Sequence, residues 1–333
     1  MSGAPLEWIT RPYEPGDETE IIALFNEVFS ENNESFEPRT LEQWQWQFEK
    51  NPAGQRILLG VDTQGKIVGQ FCSRPAWANV RGERMLCSEA VDSLVAKPYR
   101  KGLRKRGLFV SLAEEFIETH GREDLDVFMY GCPNELAFPV GTRLLHYRPV
   151  FAPLPILERP PRSDGKRPDA VQEVERFGPE LDRLWERLIP VHEFALCRDA
   201  SYWNWRYADC PLADYRLLAM PDASGELRGA AVIREGWLDE DVLAIVDWLV
   251  PREDAGASQA LLDAAESIAQ ENGLSPVQTW LHPEQPEFAW FKEQGFETRD
   301  TFFNLCIRIY HPDLTLSWVK PTWYFTMGDS DIY

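Results

Sequence analysis

The chain has 333 residues, with 54 Asp and Glu against 34 Lys and Arg, a formal net charge of −20. That length favours two domains of ordinary size, and the acidity excludes a broad nucleic-acid or anionic-membrane face. No apolar run approaches the roughly 20 residues of a membrane span and no signal peptide opens the chain, so the expected location is the cytoplasm, without membrane insertion.

Residues 6–13 read as a first strand. Residues 16–30 read as a helix, with Ile21, Ile22, Leu24, Phe25, Val28 and Phe29 at helical spacing. Thr40 stands where a cap belongs for a second helix, LEQWQWQFEKN, which ends at Asn51-Pro52. Strands follow at 56–62 and 66–78, joined by the turn Thr63-Gln64-Gly65. A further strand, 88–95, runs into Pro98 and a loop with six cationic residues, Lys97, Arg100, Lys101, Arg104, Lys105 and Arg106. Gly107 then opens a helix to about Thr119. A strand, a basic glycine loop and a helix N-terminus make an anion cradle, because the first amides of a helix are unpaired and its dipole is positive there. In so acidic a chain, this concentration of positive charge suggests a phosphate-bearing ligand.

Residues 126–132 read as a strand, 135–145 as a short helix opened by Pro133-Asn134, and the segment to Leu157 as one or two closing strands. Residues 158–170, rich in proline and charge, read as a linker. The pattern then repeats. Trp44, Trp46 and Pro52 align with Trp203, Trp205 and Pro211 at an offset of 159, and 62–69 with 222–229 at 160. Val91–Val95 aligns with Val246–Val250 at 155, and Pro133 with Pro283 at 150. The first copy is therefore five residues longer in the interval holding the basic loop. The second carries Glu253 and Asp254 there, which would repel a pyrophosphate. The first copy is expected to bind the anion and the second not to.

This order of elements is similar to that of the GNAT acyltransferases. Arg104-Lys105-Arg106-Gly107-Leu108-Phe109 resembles their signature Arg/Gln-x-x-Gly-x-Gly/Ala, with Phe109 in place of the last small residue. Val95-x-x-Pro98 resembles their Val-x-Pro with one residue extra. The resemblance covers about 6–157 and, more weakly, 171–310. It implies an α/β (α+β) fold of two tandem GNAT-like domains, each a mixed central sheet flanked by helices. The first would span 1–157, and the second 171–333, with an aromatic tail at 314–333.

The resemblance also implies acetyl-CoA as acyl donor and a primary amine as acceptor. Loop amides with Arg104, Lys105, Arg106, Gly107, Leu108 and Phe109 would hold the pyrophosphate. The Leu94–Val95 backbone would take the pantetheine arm, with Asn134 near it. Glu89, where several family members carry a glutamate, would be the base that deprotonates the amine. Asp92 is the second choice, and its match in the repeat, Asp247, suggests a shared structural role. The helix near 138–147 has no tyrosine to serve as general acid, which leaves His146, Tyr147, a residue from elsewhere or no protein acid.

The paired tryptophans suit either an acceptor cleft or the core, and at i, i+2 spacing the core explains at least one of each pair. The tail 318–333 is too aromatic to hang free, and resembles the ending of two-domain GNAT proteins encoded among polysaccharide genes. That likeness suggests an amino-sugar acceptor. The alternatives are a different acyl donor, as in tandem-GNAT peptidoglycan transferases and N-myristoyltransferases, or a non-catalytic acyl-CoA-binding or scaffolding protein. The six cysteines form no CxxC pair and read as buried reduced thiols, with no metal site expected.

Overall fold

The computed structural model describes residues 7–31, 36–100, 107–135, 137–162, 167–237 and 240–332. Its contacts fall into two units. One holds Met1–Ala76, Leu86–Pro149 and Cys306–Leu314; the other holds Trp77–Met85, Val150–Leu305 and Thr315–Tyr333.

In the first unit, β1 (Trp8–Pro12), α1 (Glu18–Ser30), α2 (Leu41–Gln47) and β2 (Arg56–Asp62) precede two long strands, β3 (Ile67–Val80) and β4 (Glu83–Val95). Then come α3 (Leu108–His120), β5 (Asp126–Gly131), α4 (Ala137–Arg143) and β6 (Arg148–Phe151). The sheet order is β1-β2-β3-β4-β5-β15-β6, where β15 (Leu305–Ile309) comes from far along the chain and runs antiparallel to β5. Helix α3 buries Leu108, Leu112, Ala113, Phe116 and Ile117, one stripe at helical spacing. Glycines let it lie tight on the sheet. A Cβ on Gly69 would come within 3.0 Å of Leu108 Cδ2 and 3.2 Å of Val95 Cγ2.

The second unit contains β7 (Ile156–Arg159), β8 (Gln172–Val174), α5 (Pro179–Leu188), β9 (Phe194–Leu196), and α6 (Ala200–Trp203) continuing into a π-helical turn, Asn204–Ala208. It continues through β10 (Tyr215–Pro221), β11 (Leu227–Trp237), β12 (Glu240–Leu249), α7 (Ala255–Glu271), β13 (Val277–Thr279), α8 (Pro286–Glu293) and β14 (Glu297–Arg299). Its sheet order is β14-β7-β13-β12-β11-β10-β8. The stretch read as a linker thus begins inside β7, with Glu158 and Arg159 paired to Gln278 and Val277. After β15 come α9 (Leu316–Thr322) and β16 (Trp323–Tyr324), which runs parallel to β9.

Local hydrogen bonds recur at the spacings of the sequence repeat. Thr40 Oγ1 accepts the Gln43 amide, and Asp199 Oδ1, 159 residues on, accepts that of Tyr202. The tryptophan helix ends in a widened turn both times: Lys50 N–H reaches Gln45 O at 2.8 Å, and Asp209 N–H reaches Asn204 O at 2.9 Å. Asp62 Oδ1 accepts the Gln64 and Lys66 amides, as Asp222 Oδ1 accepts those of Ser224 and Glu226. All four tryptophans are buried, so core packing occupies both members of each pair. Trp44 packs on Tyr13 and Phe48, and Trp203 on Phe177 and Tyr207.

Candidate active site

Strand β4 runs parallel to β5, with Leu86 opposite Asp126, Ser88 opposite Met129 and Glu89 opposite Tyr130. The ladder stops there. β5 ends at Gly131, while β4 runs on to Val95, still tied to β3 by the Ala96 N–H to Val68 O bond of 2.9 Å. Ala90 still lies against Gly131, and beyond it β4 continues to Val95 with no further rung to β5 among the described residues. An extended chain rich in amides can use such an edge as a sheet uses an added strand. The side chains of Leu94 and Val95 are buried in the core, so this stretch offers its backbone.

Glu89 sits on the last paired rung. It is 1% exposed and forms an ion pair with Arg74 of β3, itself 5% exposed. Three residues on, Asp92 has a positive φ of 48°, a conformation that aspartate tolerates better than most residues. Its carboxylate is held by Arg39 and by Gln47 Nε2 at 2.9 Å, and its carbonyl by Gln70 Nε2 at 2.8 Å. Asp92 is thus anchored where the strand is irregular. Nearby, burial and then the Asp92 charge push the Cys72 thiol well above its usual range.

Helix α3 follows the basic loop in the chain. Gly107 is its N-cap, without a side-chain cap, and its first turn has no acidic residue. That leaves amides and a positive helix end for an anion. Phe109 turns its ring edge-on to Phe71, at 5.9 Å, so its bulk is absorbed by the core. Of the predicted donor residues, Arg104, Lys105 and Arg106 lie outside the described residues, as does Lys101. Arg100 turns its guanidinium back, with Nε on Val95 O at 2.7 Å and both Nη atoms on Glu31. Asn134 caps α4, its Oδ1 accepting the Ala137 amide at 2.9 Å.

For the thiolate's proton the structure offers little. Tyr147 is buried in the core cluster, and burial pushes its hydroxyl well above the ordinary phenol range. His146 is exposed. Sequence reasoning passed over Arg39, Gln47 and Arg74. The repeat carried a signal for two of them: Arg39 matches Arg198 at 159, and Arg74 matches Arg234 at 160.

The counterpart region of the second unit is built differently. β12 and β13 pair from Leu243 to Ile245, and β12 then runs on to Leu249. The C-terminal segment closes over that extension: Tyr324 donates its hydroxyl to Trp248 O, and Arg198 joins Asp247 to Asp329 and Thr326. Asp254 caps α7, accepting the Ala257 amide at 2.9 Å, and is held by Arg228. The tail is buried from Trp323 to Ser330.

β4 thus runs parallel to β5 and outruns it, and α3 follows β4 in the chain. Residues 10–138 match the family model described as an acetyltransferase (GNAT) domain. That match marks the N-terminal region as a GNAT domain. A probable N-acyltransferase from Enterococcus faecalis V583 superposes with a TM-score of 0.66 at 13% identity, covering 92% of this chain and 73% of that one. A GCN5-related N-acetyltransferase from Anabaena variabilis gives 0.65 at 13%, covering 91% and 73%. Saccharomyces cerevisiae N-myristoyltransferase with bound myristoyl-CoA gives 0.60 at 13%, covering 94% and 88%. At such identity these likenesses speak for the fold. A search of curated protein sequences finds no match.

Proposed function

We propose that the first unit transfers an acetyl group from acetyl-CoA to the primary amine of a small molecule. The observation that carries this is the end of the β4–β5 ladder at Glu89, with β4 running on to Val95. It places a carboxylate where the open backbone edge begins. The pantetheine arm lies along Ala90–Val95, and the pyrophosphate sits on the α3 amides beside Gly107, aided by Arg104, Lys105 and Arg106. Asn134, at the start of α4, contributes from the β5 side.

In the reaction, Glu89 takes a proton from the acceptor ammonium, directly or through a water. The freed amine attacks the thioester carbon and forms the C–N bond. The C–S bond then breaks, and the thiolate takes the proton that the new amide nitrogen sheds, by way of solvent. Amides on the open β4 edge stabilise the oxyanion. The buried position of Tyr147 favours this route without a phenol acid.

The recurring hydrogen bonds support a duplicated GNAT unit, with one donor site per chain. In the second half, Asp254 supplies its own anion at the helix end and the tail covers β12. The acceptor class suggested by the tail's resemblance is an amino sugar.

Thermal-shift titration tests the donor reading. Acetyl-CoA and CoA should both raise the melting temperature, by an increment that grows with the logarithm of concentration. Stabilisation by myristoyl-CoA but not acetyl-CoA would reassign the donor, and stabilisation by neither would refute the site.

A further inference from the structure

Arg74 and Glu89 form an ion pair, 5% and 1% exposed, between neighbouring strands of the first unit. Removing two charges from water is expensive, and such a pair is weak evidence for stability. The second unit shows what the fold itself requires. There Arg234, the match of Arg74, stands directly opposite Ala244, the match of Glu89, in the β11–β12 register. Arg234 is half-buried and lies 6.0 Å from the Tyr215 ring. The same two-stranded element therefore forms without the carboxylate. Of the two matched positions, the first unit holds the buried pair, on the last rung of the β4–β5 ladder.

We infer that Arg74 is a positioning residue for the transfer reaction: it fixes the Glu89 carboxylate at the mouth of the cleft and keeps it ionised. This rests on the proposed base role of Glu89. Arg74 engages Oε2 and comes from β3, the side of β4 away from β5, so it orients the carboxylate without standing in the cleft. The other titratable groups on this stretch are Tyr130, opposite Glu89 on β5, and Cys72, whose thiol stays protonated. Among the described residues the nearby charges include the Arg39–Asp92 pair and Asp126, opposite Leu86 on the same ladder, with its partner Arg56. Arg74 is the cation paired with Glu89 among the described residues. An adjacent arginine favours the ionised form of a carboxylate, against the burial that disfavours it.

The test is the pH profile of kcat/KM for the full chain, comparing wild type with Arg74→Gln, Arg74→Lys and Glu89→Gln, and with melting curves for each. Arg74→Gln should move the acid limb up by about one to three pH units, and Arg74→Lys should leave it within about half a unit while lowering kcat. An equal loss of activity at every pH in Arg74→Gln, with the limb in place, would overturn the inference. Should Arg74→Gln fail to fold, a limb displaced by about one unit or more in Arg74→Lys would overturn it as well. Loss of the limb in Glu89→Gln supports the base reading on its own. A limb unchanged in Glu89→Gln refutes that reading, and the inference with it, separately from any effect at Arg74.

Discussion

Arg198 holds Asp247 as Arg39 holds Asp92. Each arginine directly precedes the N-cap of a tryptophan helix, and the two stand 159 residues apart. Each aspartate sits at an irregularity in the corresponding strand, Asp92 through its positive φ and Asp247 through a register shift opposite Val232/Ile233. The second partner differs, with Gln47 amide on Asp92 and Tyr207 hydroxyl on Asp247 at 2.8 Å. A shared anchor of this kind is a folding device, which is why the base is proposed at Glu89, absent from the second half, and not at Asp92.

The two anchors should differ in weight. Arg198 is fully buried and serves two buried carboxylates, Asp247 and Asp329. Arg198→Met leaves both without a cation, and should lower stability by about 3–5 kcal/mol. Arg39→Met leaves Asp92 with the Gln47 amide, and the loss should be about 1–3 kcal/mol. Urea midpoints compare the two; a larger loss at Arg39 would contradict the ranking.

Packing of α3 on the sheet gives a second expectation. Gly69→Val must push aside Leu108, Val95 and Leu112, all buried against it. Overpacking of this sort costs about 1–3 kcal/mol. Because α3 carries the amides proposed to hold the donor, acetyl-CoA affinity should fall along with stability. Calorimetric titration at a temperature where the variant stays folded checks this.

Donor stoichiometry follows from the second unit's own contacts. With Asp254 capping α7 and Tyr324 on the Trp248 carbonyl, isothermal titration should give one acetyl-CoA per chain. Two equivalents would show that the tail leaves a second cleft open.

Acid should destabilise the second unit. Burial, and then the Lys320 charge, lowers His282 to about 4, and burial with Arg252 and Arg198 lowers His192 well below its ordinary value. Unfolded, both protonate near pH 6.5. Below that pH the unfolded state binds more protons, so stability falls toward pH 4, at a limiting slope of about 1.4 kcal/mol per pH unit for each histidine. Asp329, raised by burial to about 6, acts in the opposite sense over part of the window and offsets one of the two. Denaturation at pH 7 and 5 should show the loss, with a shallower slope in His282→Phe. Equal stability at both pH values would contradict it.

The helices and most strands of both units were legible because each buries one face at a regular period. The helix over 16–30 and the strand over 56–62 appear as α1 and β2. The tail's aromatic content also announced its burial. β15 was not legible as part of the first sheet, since pairing with β5 across so long a separation is decided by tertiary fit. The end of the β4–β5 ladder is likewise a property of two strands of unequal length, invisible in either alone. Arg74 escaped notice because a single arginine in an apolar strand acquires meaning only from what stands opposite.

The most direct measurement is release of free thiol from acetyl-CoA, with and without a panel of primary amines that includes amino sugars, for wild type and Glu89→Gln. The account predicts amine-dependent thiol release, and a fall in kcat of about 10²–10⁴-fold in Glu89→Gln with acetyl-CoA binding retained. Bound acetyl-CoA that yields no thiol with any amine, or equal turnover by Glu89→Gln, would contradict it.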